Sequence, residues 1–300
     1  MTGSMIGGEG MGSVWATAQR SPAVQRGDRY VPGSVAHPAK MLPAVAAHAI
    51  AAYTTPGEIV LDPMCGIGTT LVEAVHLDRR AVGVEYEIRW AEIARDNLAQ
   101  AGPLRRSLGR VHTGDARHLD WLLPDELRSQ VALIVTSPPY GPSTHGQVST
   151  GTGGVHKRDH RYGDPLDRGN LANIGHHRLL AGFTRILTLA AGYLRPGGHV
   201  VITIRPWREH AELIDLPAQI QACGRHAGLT VVERCVALLG RVTDDGGYIA
   251  RGSFFQRDFI RRQRDRGLPL HLIAHEDVVV LQRPAGVGAL EPDQTLVDAG

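Results

Sequence analysis

A chain of 300 residues with 43% hydrophobic residues is long enough to bury one large core or two small ones. The formal net charge of +2 is nearly balanced, so overall charge does not mark a nucleic-acid binder. Three cysteines without paired spacing argue against a disulfide framework and for a reducing compartment. Because no signal-peptide core or bilayer-spanning apolar run is found, we expect a cytoplasmic protein.

Strand-like and helix-like segments alternate from residue 58 to residue 282. The seven predicted strands are short apolar runs over residues 58–62, 81–85, 110–113, 131–136, 199–204, 229–239 and 277–282. The predicted helices between them have apolar residues at helical spacing and cover residues 69–77, 89–101, 179–194 and 213–227. This alternation predicts an α/β fold, with a mainly parallel sheet and helices on both faces. Ligands of such sheets bind beyond the carboxyl ends of the strands.

Two segments interrupt the alternation. Residues 141–177 are polar and rich in glycine, histidine and arginine, and residues 241–274 contain a basic, partly aromatic, helix-like stretch. A connection as long as residues 141–177, without obvious secondary structure, is usually functional or disordered. We expect an N-terminal extension at 1–35, one domain at 36–283 with both segments as candidate target-recognition elements, and a flexible tail at 284–300.

A glycine-containing turn follows the first predicted strand, in the stretch Asp62-Pro-Met-Cys-Gly-Ile-Gly-Thr-Thr70. Glycines at this place let a ligand approach the backbone closely. Leu71 stands where a dinucleotide fingerprint has its third glycine, and no Walker lysine follows. The turn therefore favours a ligand smaller than one carrying a pyrophosphate.

Acidic residues follow the next two predicted strands. Glu85 ends the second strand, where a carboxylate can accept hydrogen bonds from both hydroxyls of a ribose. Asp115 follows the third strand and is placed to meet an adenine amino group. With the glycine turn, these acids predict a nucleoside with a small polar tail, S-adenosylmethionine (AdoMet). The alternative is that both acids are ordinary strand-end caps.

The fourth predicted strand ends in Ser137-Pro-Pro-Tyr140. With the glycine turn, this tetrapeptide resembles the amino-directed DNA methyltransferases, which methylate N4 of cytosine or N6 of adenine. His37-Pro-Ala-Lys-Met41, Leu194-Arg-Pro-Gly-Gly198 and His275-Glu-Asp-Val-Val-Val280 are similar to further elements of that family. The resemblance covers about residues 36–283 and implies the Rossmann-like class I AdoMet-dependent methyltransferase fold, with a seven-stranded sheet.

The resemblance also assigns roles to individual residues. It implies that the Ser137 side chain and the Pro138 carbonyl face the target amino group, that Pro139 stiffens the corner, and that Tyr140 stacks on a flipped base. The cofactor site would comprise His37, Pro38, Lys40, Asp62, Pro63, Cys65, Gly66, Gly68, Thr69, Thr70, Glu85, Asp115 and Ala116. Cys65 lies in the cofactor turn, so we interpret it as a small packing residue and not as a nucleophile.

Basic residues of the two interrupting segments are candidate nucleic-acid contacts. They are Arg158, Arg161, Arg257, Arg261, Arg262 and Arg264, although a solvated helix face is the ordinary role of such a run. The histidines of residues 141–177 have no cysteine pair and no spacing typical of a zinc site, so we expect no metal.

The resemblance favours a site-specific DNA methyltransferase that acts on N4 of cytosine, or otherwise on N6 of adenine. An RNA enzyme such as a tRNA guanine-N2 methyltransferase is the alternative, although such proteins usually carry an N-terminal RNA-binding domain, for which about 35 residues leave no room. A catalytically silent module that binds AdoMet and nucleic acid is a third reading. The expected partner is DNA, with RNA as the alternative, and the recognition sequence and oligomeric state stay open.

Overall fold

The computed structural model describes residues 12–139, 147–151, 154–158, 162–164, 166–209, 212–252 and 254–286. In this part of the chain the strands are β1 (Val14–Trp15), β2 (Ile59–Asp62), β3 (Arg80–Glu85), β4 (Gly109–Thr113), β5 (Val131–Thr136), β6 (Gln147–Gly151), β7 (Gly154–Arg158), β8 (Leu194–Ile204), β9 (Trp207–Glu209), β10 (Glu212–Ile214), β11 (Thr230–Leu238), β12 (Gly240–Val242), β13 (Tyr248–Ala250) and β14 (His275–Gln282). The helices are α1 (Pro22–Arg26), α2 (Pro43–Tyr53), α3 (Thr69–His76), α4 (Ile88–Gln100), α5 (Gly102–Arg106), α6 (Leu119–Leu122), α7 (His176–Ala191), α8 (Leu216–His226) and α9 (Phe254–Asp265).

A central sheet contains eight of these strands in the order β1-β11-β14-β8-β5-β2-β3-β4. Strands β8, β5, β2, β3 and β4 run parallel, whereas β14 runs antiparallel to both of its neighbours. The expected α/β fold with a mainly parallel sheet is confirmed, and all seven expected strands are present. Val14 and Trp15, which were expected to lie in an extension, add an eighth strand by pairing in parallel with β11.

Helices cover both faces of the sheet because the strands are apolar on both sides. Successive strand residues point to opposite faces, so Leu61 and Ile134 enter one core while Val60 and Leu133 enter the other. The first core is completed by α6, α7 and α8, and the second by α2, α3 and α4. This double burial explains why the strands read as continuous apolar runs without polar alternation.

The segment before α2 packs against the second core. The ring of Trp15 is 3% exposed within that core, and the Tyr30 hydroxyl donates a hydrogen bond of 2.9 Å to Glu73 of α3. Asn97 of α4 accepts a bond of 2.7 Å from the Val31 amide. The packing therefore shows no break near residue 36, and the expected domain limits stay a prediction.

Regular structure also occurs where the sequence has no clear periodicity. Strands β6 and β7 form an antiparallel hairpin within residues 141–177, and β12 pairs with β13 within residues 241–274. The helix-like stretch of the latter segment is α9. In the part of the chain described here, no helix has the length and hydropathy needed to cross a membrane.

Candidate active site

One large cavity, of about 840 Å³, opens at the carboxyl end of the parallel strands. Pockets of roughly 300–1,000 Å³ are typical of small-molecule and cofactor sites. The sequence-predicted residues that line it are His37, Pro38, Lys40, Asp62, Pro63, Cys65, Gly66, Thr69, Thr70, Glu85, Asp115, Ala116, Ser137, Pro138 and Pro139. The fold thus brings together residues that are up to a hundred positions apart in the chain.

The two glycines of the turn have different surroundings. Gly66 has φ +53°, and a Cβ there would lie 3.0 Å from His37 Nε2, so a side chain at this position would strain the turn and crowd that ring. Gly68 has φ +79° and caps α3, but it does not line the cavity. A Cβ at Gly68 would lie 3.1 Å from Ala94 Cβ, so this glycine permits the close packing of α3 on α4.

Glu85 is the most enclosed acid of the cavity, with 1% of its surface exposed. Its Oε2 accepts hydrogen bonds from the Gly66 amide (2.8 Å) and the Tyr162 hydroxyl (3.0 Å), and its Oε1 accepts one from the Glu87 amide (2.9 Å). Burial raises the pKa of Glu85 to about 7, although these donors favour the ionised form. The carboxylate is therefore poised to change its charge near neutral pH.

Asp62 lies at the end of the neighbouring strand β2 and is also buried. It accepts hydrogen bonds from the Thr70 hydroxyl (2.7 Å) and the Met64 amide (3.1 Å), which fix the start of α3 relative to the strand. Burial raises the pKa of Asp62 to about 6, against the effect of these two bonds. Two buried carboxyl groups thus adjoin the glycine turn.

Asp115 differs from the other two acids because it already has a cationic partner. The Arg117 guanidinium donates to both of its carboxylate oxygens, with a shortest distance of 2.6 Å. Partial burial alone would raise the pKa of Asp115, but the bonds from Arg117 hold it below its ordinary value. Asp115 is therefore ionised at neutral pH and forms an ion pair with Arg117.

Part of residues 141–177, the first segment expected to take part in target recognition, covers this end of the cavity. We call residues 162–164 and 166–173 the strap. The Tyr162 hydroxyl reaches Glu85 as described, the Tyr86 hydroxyl donates to Asp167 (2.8 Å), and Asn170 Nδ2 donates to Glu87 (2.6 Å). Arg117 adds a bond to the Gly169 carbonyl (2.7 Å). The strap is thus anchored to the residues that follow β3 and β4.

Other predicted members of the site are placed as follows. Lys40 donates to the Val35 carbonyl (3.1 Å), and burial lowers the pKa of its ammonium group to about 8. Burial raises the pKa of the Cys65 thiol well above its ordinary value, so a neutral packing residue fits this position better than a nucleophile. His37 packs edge-on against the rings of Trp90 and Tyr162.

The Ser-Pro-Pro corner follows β5, which lies beside β2 in the sheet. Ser137 and Pro139 are half-buried and Pro138 is buried, and all three line the same cavity as Asp62 and Glu85. Tyr140 lies outside the described residues, so its stacking role stays a prediction.

The cavity continues past the corner, towards β8 and β14. Arg205, Trp207 and Arg208 follow β8, Glu276 is the second residue of β14, and Phe259 of α9 completes this end. Of these residues only Phe259 lies in a segment that was expected to contact the target, and the other four were not predicted to belong to the site. Trp207 could have been recognised by its place just beyond a strand, whereas Glu276 lies at the beginning of a strand that enters the sheet from the cavity edge.

Four of the six arginines predicted to contact nucleic acid lie on α9. Arg261 and Arg262 form ion pairs with Asp258 on α9 at 2.6 and 3.0 Å, and Arg257 and Arg264 line a shallow depression on the same helix. Arg158 ends β7, and Arg161 lies outside the described residues. Among the residues that the structure describes, no group of three His, Cys, Asp or Glu side chains could hold a metal ion.

Comparisons with known proteins give a family match over part of the chain and a fold. A family model described as DNA methylase matches residues 4–96. The tRNA (guanine(10)-N2)-dimethyltransferases of Methanocaldococcus jannaschii and Methanothermobacter thermautotrophicus are 36% and 39% identical to this chain, over 109 and 95 residues. These matches cover 36% and 31% of this chain, and 31% and 26% of the relatives, so the chain matches about a third of their length.

The fold has a counterpart among solved structures. TrmN from Thermus thermophilus aligns with a TM-score of 0.50 and 19% identity, over 85% of this chain and 53% of its own. The cavity suits AdoMet, because buried carboxylates can accept ribose hydroxyls and a glycine turn gives room beside them. The chain therefore has the class I methyltransferase fold, with AdoMet as its cofactor, and over residues 4–96 it is similar to the amino-directed methyltransferase family.

Proposed function

We propose that this protein methylates an exocyclic amino nitrogen of a nucleobase, and that the base is a guanine in RNA, modified at N2. The observation that carries the reaction type is the shared cavity, in which the Ser137–Pro139 corner adjoins the turn and acids assigned to the cofactor. The names of the two curated relatives support tRNA as the substrate class. As a cytoplasmic protein, which we expect, it would meet such a substrate directly.

The residues of the cofactor half have distinct tasks in this proposal. Glu85 accepts the ribose hydroxyls, Gly66 leaves space beside them, and Asp62 holds the start of α3 through Thr70. When bound, AdoMet supplies an electrophilic methyl group on a positively charged sulfur. When they are ionised, the buried acids make this end of the cavity negative, which complements that charge.

The corner acts on the acceptor nitrogen. An exocyclic amino group is a poor nucleophile because its lone pair is delocalised into the ring. Hydrogen bonds from its two N–H groups to the Ser137 hydroxyl and the Pro138 carbonyl would localise the lone pair and direct it at the methyl group. Two prolines hold these acceptors in place beforehand, so that no reorganisation adds to the barrier. We assign the stacking of the base to Tyr140, as the resemblance implies.

DNA is the second candidate substrate, because the matching family model is described as DNA methylase. The experiment that separates the two is the transfer of labelled methyl from AdoMet to unmodified tRNA and to duplex DNA, both from host cells lacking the gene. Nucleoside analysis should find N2-methylguanosine in the RNA. N4-methylcytosine or N6-methyladenine in the DNA would establish the second candidate instead, and no product from either would contradict both.

A variant of the corner tests the mechanism independently of the substrate. Ser137→Ala should lower kcat by roughly 10²–10³, the usual loss when a preorganised hydrogen-bonding group of an active site is removed. AdoMet affinity, measured by calorimetry, should stay within a factor of two or so, because the serine acts on the base. Ser107→Ala, an exposed change outside the cavity, serves as the matched control. Full activity in Ser137→Ala would remove the corner from the mechanism.

A further inference from the structure

The end of the cavity beyond the corner contains two buried polar atoms of opposite character. Among the described residues, Glu276 Oε2 and Arg208 Nε are buried and have no hydrogen-bond partner. One is an acceptor and the other a donor, and both side chains line the cavity. Leaving such groups unsatisfied costs about 1–3 kcal/mol each, so a site of this kind is ordinarily explained by a ligand or water that completes it.

The sheet sets the distance between the strand that carries Glu276 and the strand that leads into the corner. Strand β8 is the neighbour of β5, and β14 is the neighbour of β8, with Asp277 paired to Ile204. Glu276 is therefore about two strand spacings, roughly 10 Å, from the strand that carries Ser137. A base with a hydrogen bond of about 3 Å at each side bridges that separation.

A neighbouring cation lies on one side of the Glu276 carboxyl. Arg205 Nε lies 3.9 Å from Glu276 Oε1, on the adjacent strand end, so Oε1 faces the guanidinium and Oε2 is left for another donor. The Glu276 side chain is 13% exposed. A hydrogen bond made in this partly closed place is strong, and an incorrect partner there is costly.

The three bases with an exocyclic amino group differ in what else they can donate. Once the amino group is held by the corner, guanine still has its ring N1–H, and it also presents the acceptors O6 and N7. Cytosine and adenine have only acceptor nitrogens and oxygens on the rest of their hydrogen-bonding edges. Only guanine therefore matches both an unsatisfied acceptor and an unsatisfied donor.

We propose that Glu276 and Arg208 select guanine, with Glu276 Oε2 accepting its N1–H and Arg208 donating to its O6. Trp207 and Phe259, which line the same end, supply the apolar walls of the pocket. This inference rests on the proposed function, because it identifies the base that the same site methylates.

The test compares guanine with 2-aminopurine, which keeps the amino group but has neither N1–H nor O6. The RNA that accepts methyl groups is synthesised with either base at the modified position, and kcat/KM is measured for both. The parent protein should prefer guanine by at least about a hundredfold, because the wrong base leaves buried groups unpaired. Glu276→Gln should lower kcat/KM for guanine and raise it for 2-aminopurine, since an amide can donate to the unprotonated N1. Glu276→Asp keeps the acceptor and should keep the preference.

The controls distinguish a failure of guanine selection by Glu276 from a failure of the proposed function. AdoMet affinity should be unchanged in both variants, which shows that they fold, and Glu212→Gln, an exposed acid outside the cavity, should leave the ratio unchanged. A methylated guanine with an equal rate for 2-aminopurine in the parent protein, or an unaltered ratio in Glu276→Gln, overturns this inference alone. A methylated cytosine or adenine overturns the guanine assignment of the proposed function together with it.

Discussion

The buried acids show how single residues are adapted to the site. Asp62 and Glu85 are 3% and 1% exposed, and both accept hydrogen bonds from backbone amides or hydroxyl groups. The order of residues after the strands predicted that these carboxyl groups would meet. Their burial was not predictable, because it depends on Tyr162 and on the segments before α2 and after β5, which are far away in the sequence.

The raised pKa of Glu85 predicts a pH-dependent affinity for AdoMet. In the proposed site, ribose hydroxyls donate to the ionised carboxylate of Glu85, and the ionised fraction falls as the pH drops below the pKa of about 7. AdoMet binding should therefore weaken towards pH 6, by up to about tenfold per unit, and level off above pH 8. Calorimetry over pH 6–8 measures this, and Glu85→Gln should bind more weakly with a flat profile. A slope that persists in Glu85→Gln would assign the titration to another group, such as Asp62.

The strap is the element that the sequence was least able to predict. Its residues are polar and have no periodicity, and its place is set by hydrogen bonds to residues about 80 positions away, such as Tyr162 to Glu85 and Asn170 to Glu87. The α/β alternation, by contrast, was predictable because apolar periodicity is local. Strand β1 was also not predicted, because two residues are too few to show a period.

The strap makes Tyr162 a competitor of the cofactor. Its hydroxyl occupies an oxygen of Glu85 that a ribose hydroxyl would use, whereas its ring packs against His37 in either case. Tyr162→Phe should therefore strengthen AdoMet binding by up to about tenfold, the equivalent of one net hydrogen bond. Isothermal calorimetry of the parent and the variant gives this ratio.

The matched control for this change is Tyr86→Phe, which removes a bond to Asp167 of the same strap without touching Glu85. It should strengthen AdoMet binding less than Tyr162→Phe does. An equal gain in both variants would attribute the effect to loosening of the strap, and weaker binding in Tyr162→Phe would make the tyrosine a supporting contact of the cofactor.

At the scale of the whole molecule, one edge of the sheet carries the successive parts of the site in order. Glu85 and Asp62 end β3 and β2, Asp115 lies two residues beyond β4, the Ser137 corner follows β5, and Arg205 and Glu276 lie at β8 and β14. The sequence predicted the first four because they follow parallel strands. It could not predict Glu276, since the reversal of β14 brings the beginning of a strand to an edge otherwise formed by strand ends.

The unsatisfied atoms of Glu276 and Arg208 also affect the thermal stability of the free protein. If a bound base supplies the missing hydrogen bonds, the free protein has a lower free energy of unfolding than a variant without these two polar groups. The two groups then serve activity and lower stability. Replacing both by methionine should therefore raise Tm by a few degrees, as removing one or two unsatisfied buried groups does in a domain of this size, while methyl transfer is lost. The control is the double variant Glu212→Met, Arg241→Met, which replaces two exposed charged residues. A lower Tm in the cavity variant, measured by calorimetry, would show instead that Glu276 and Arg208 stabilise the fold in the absence of any base.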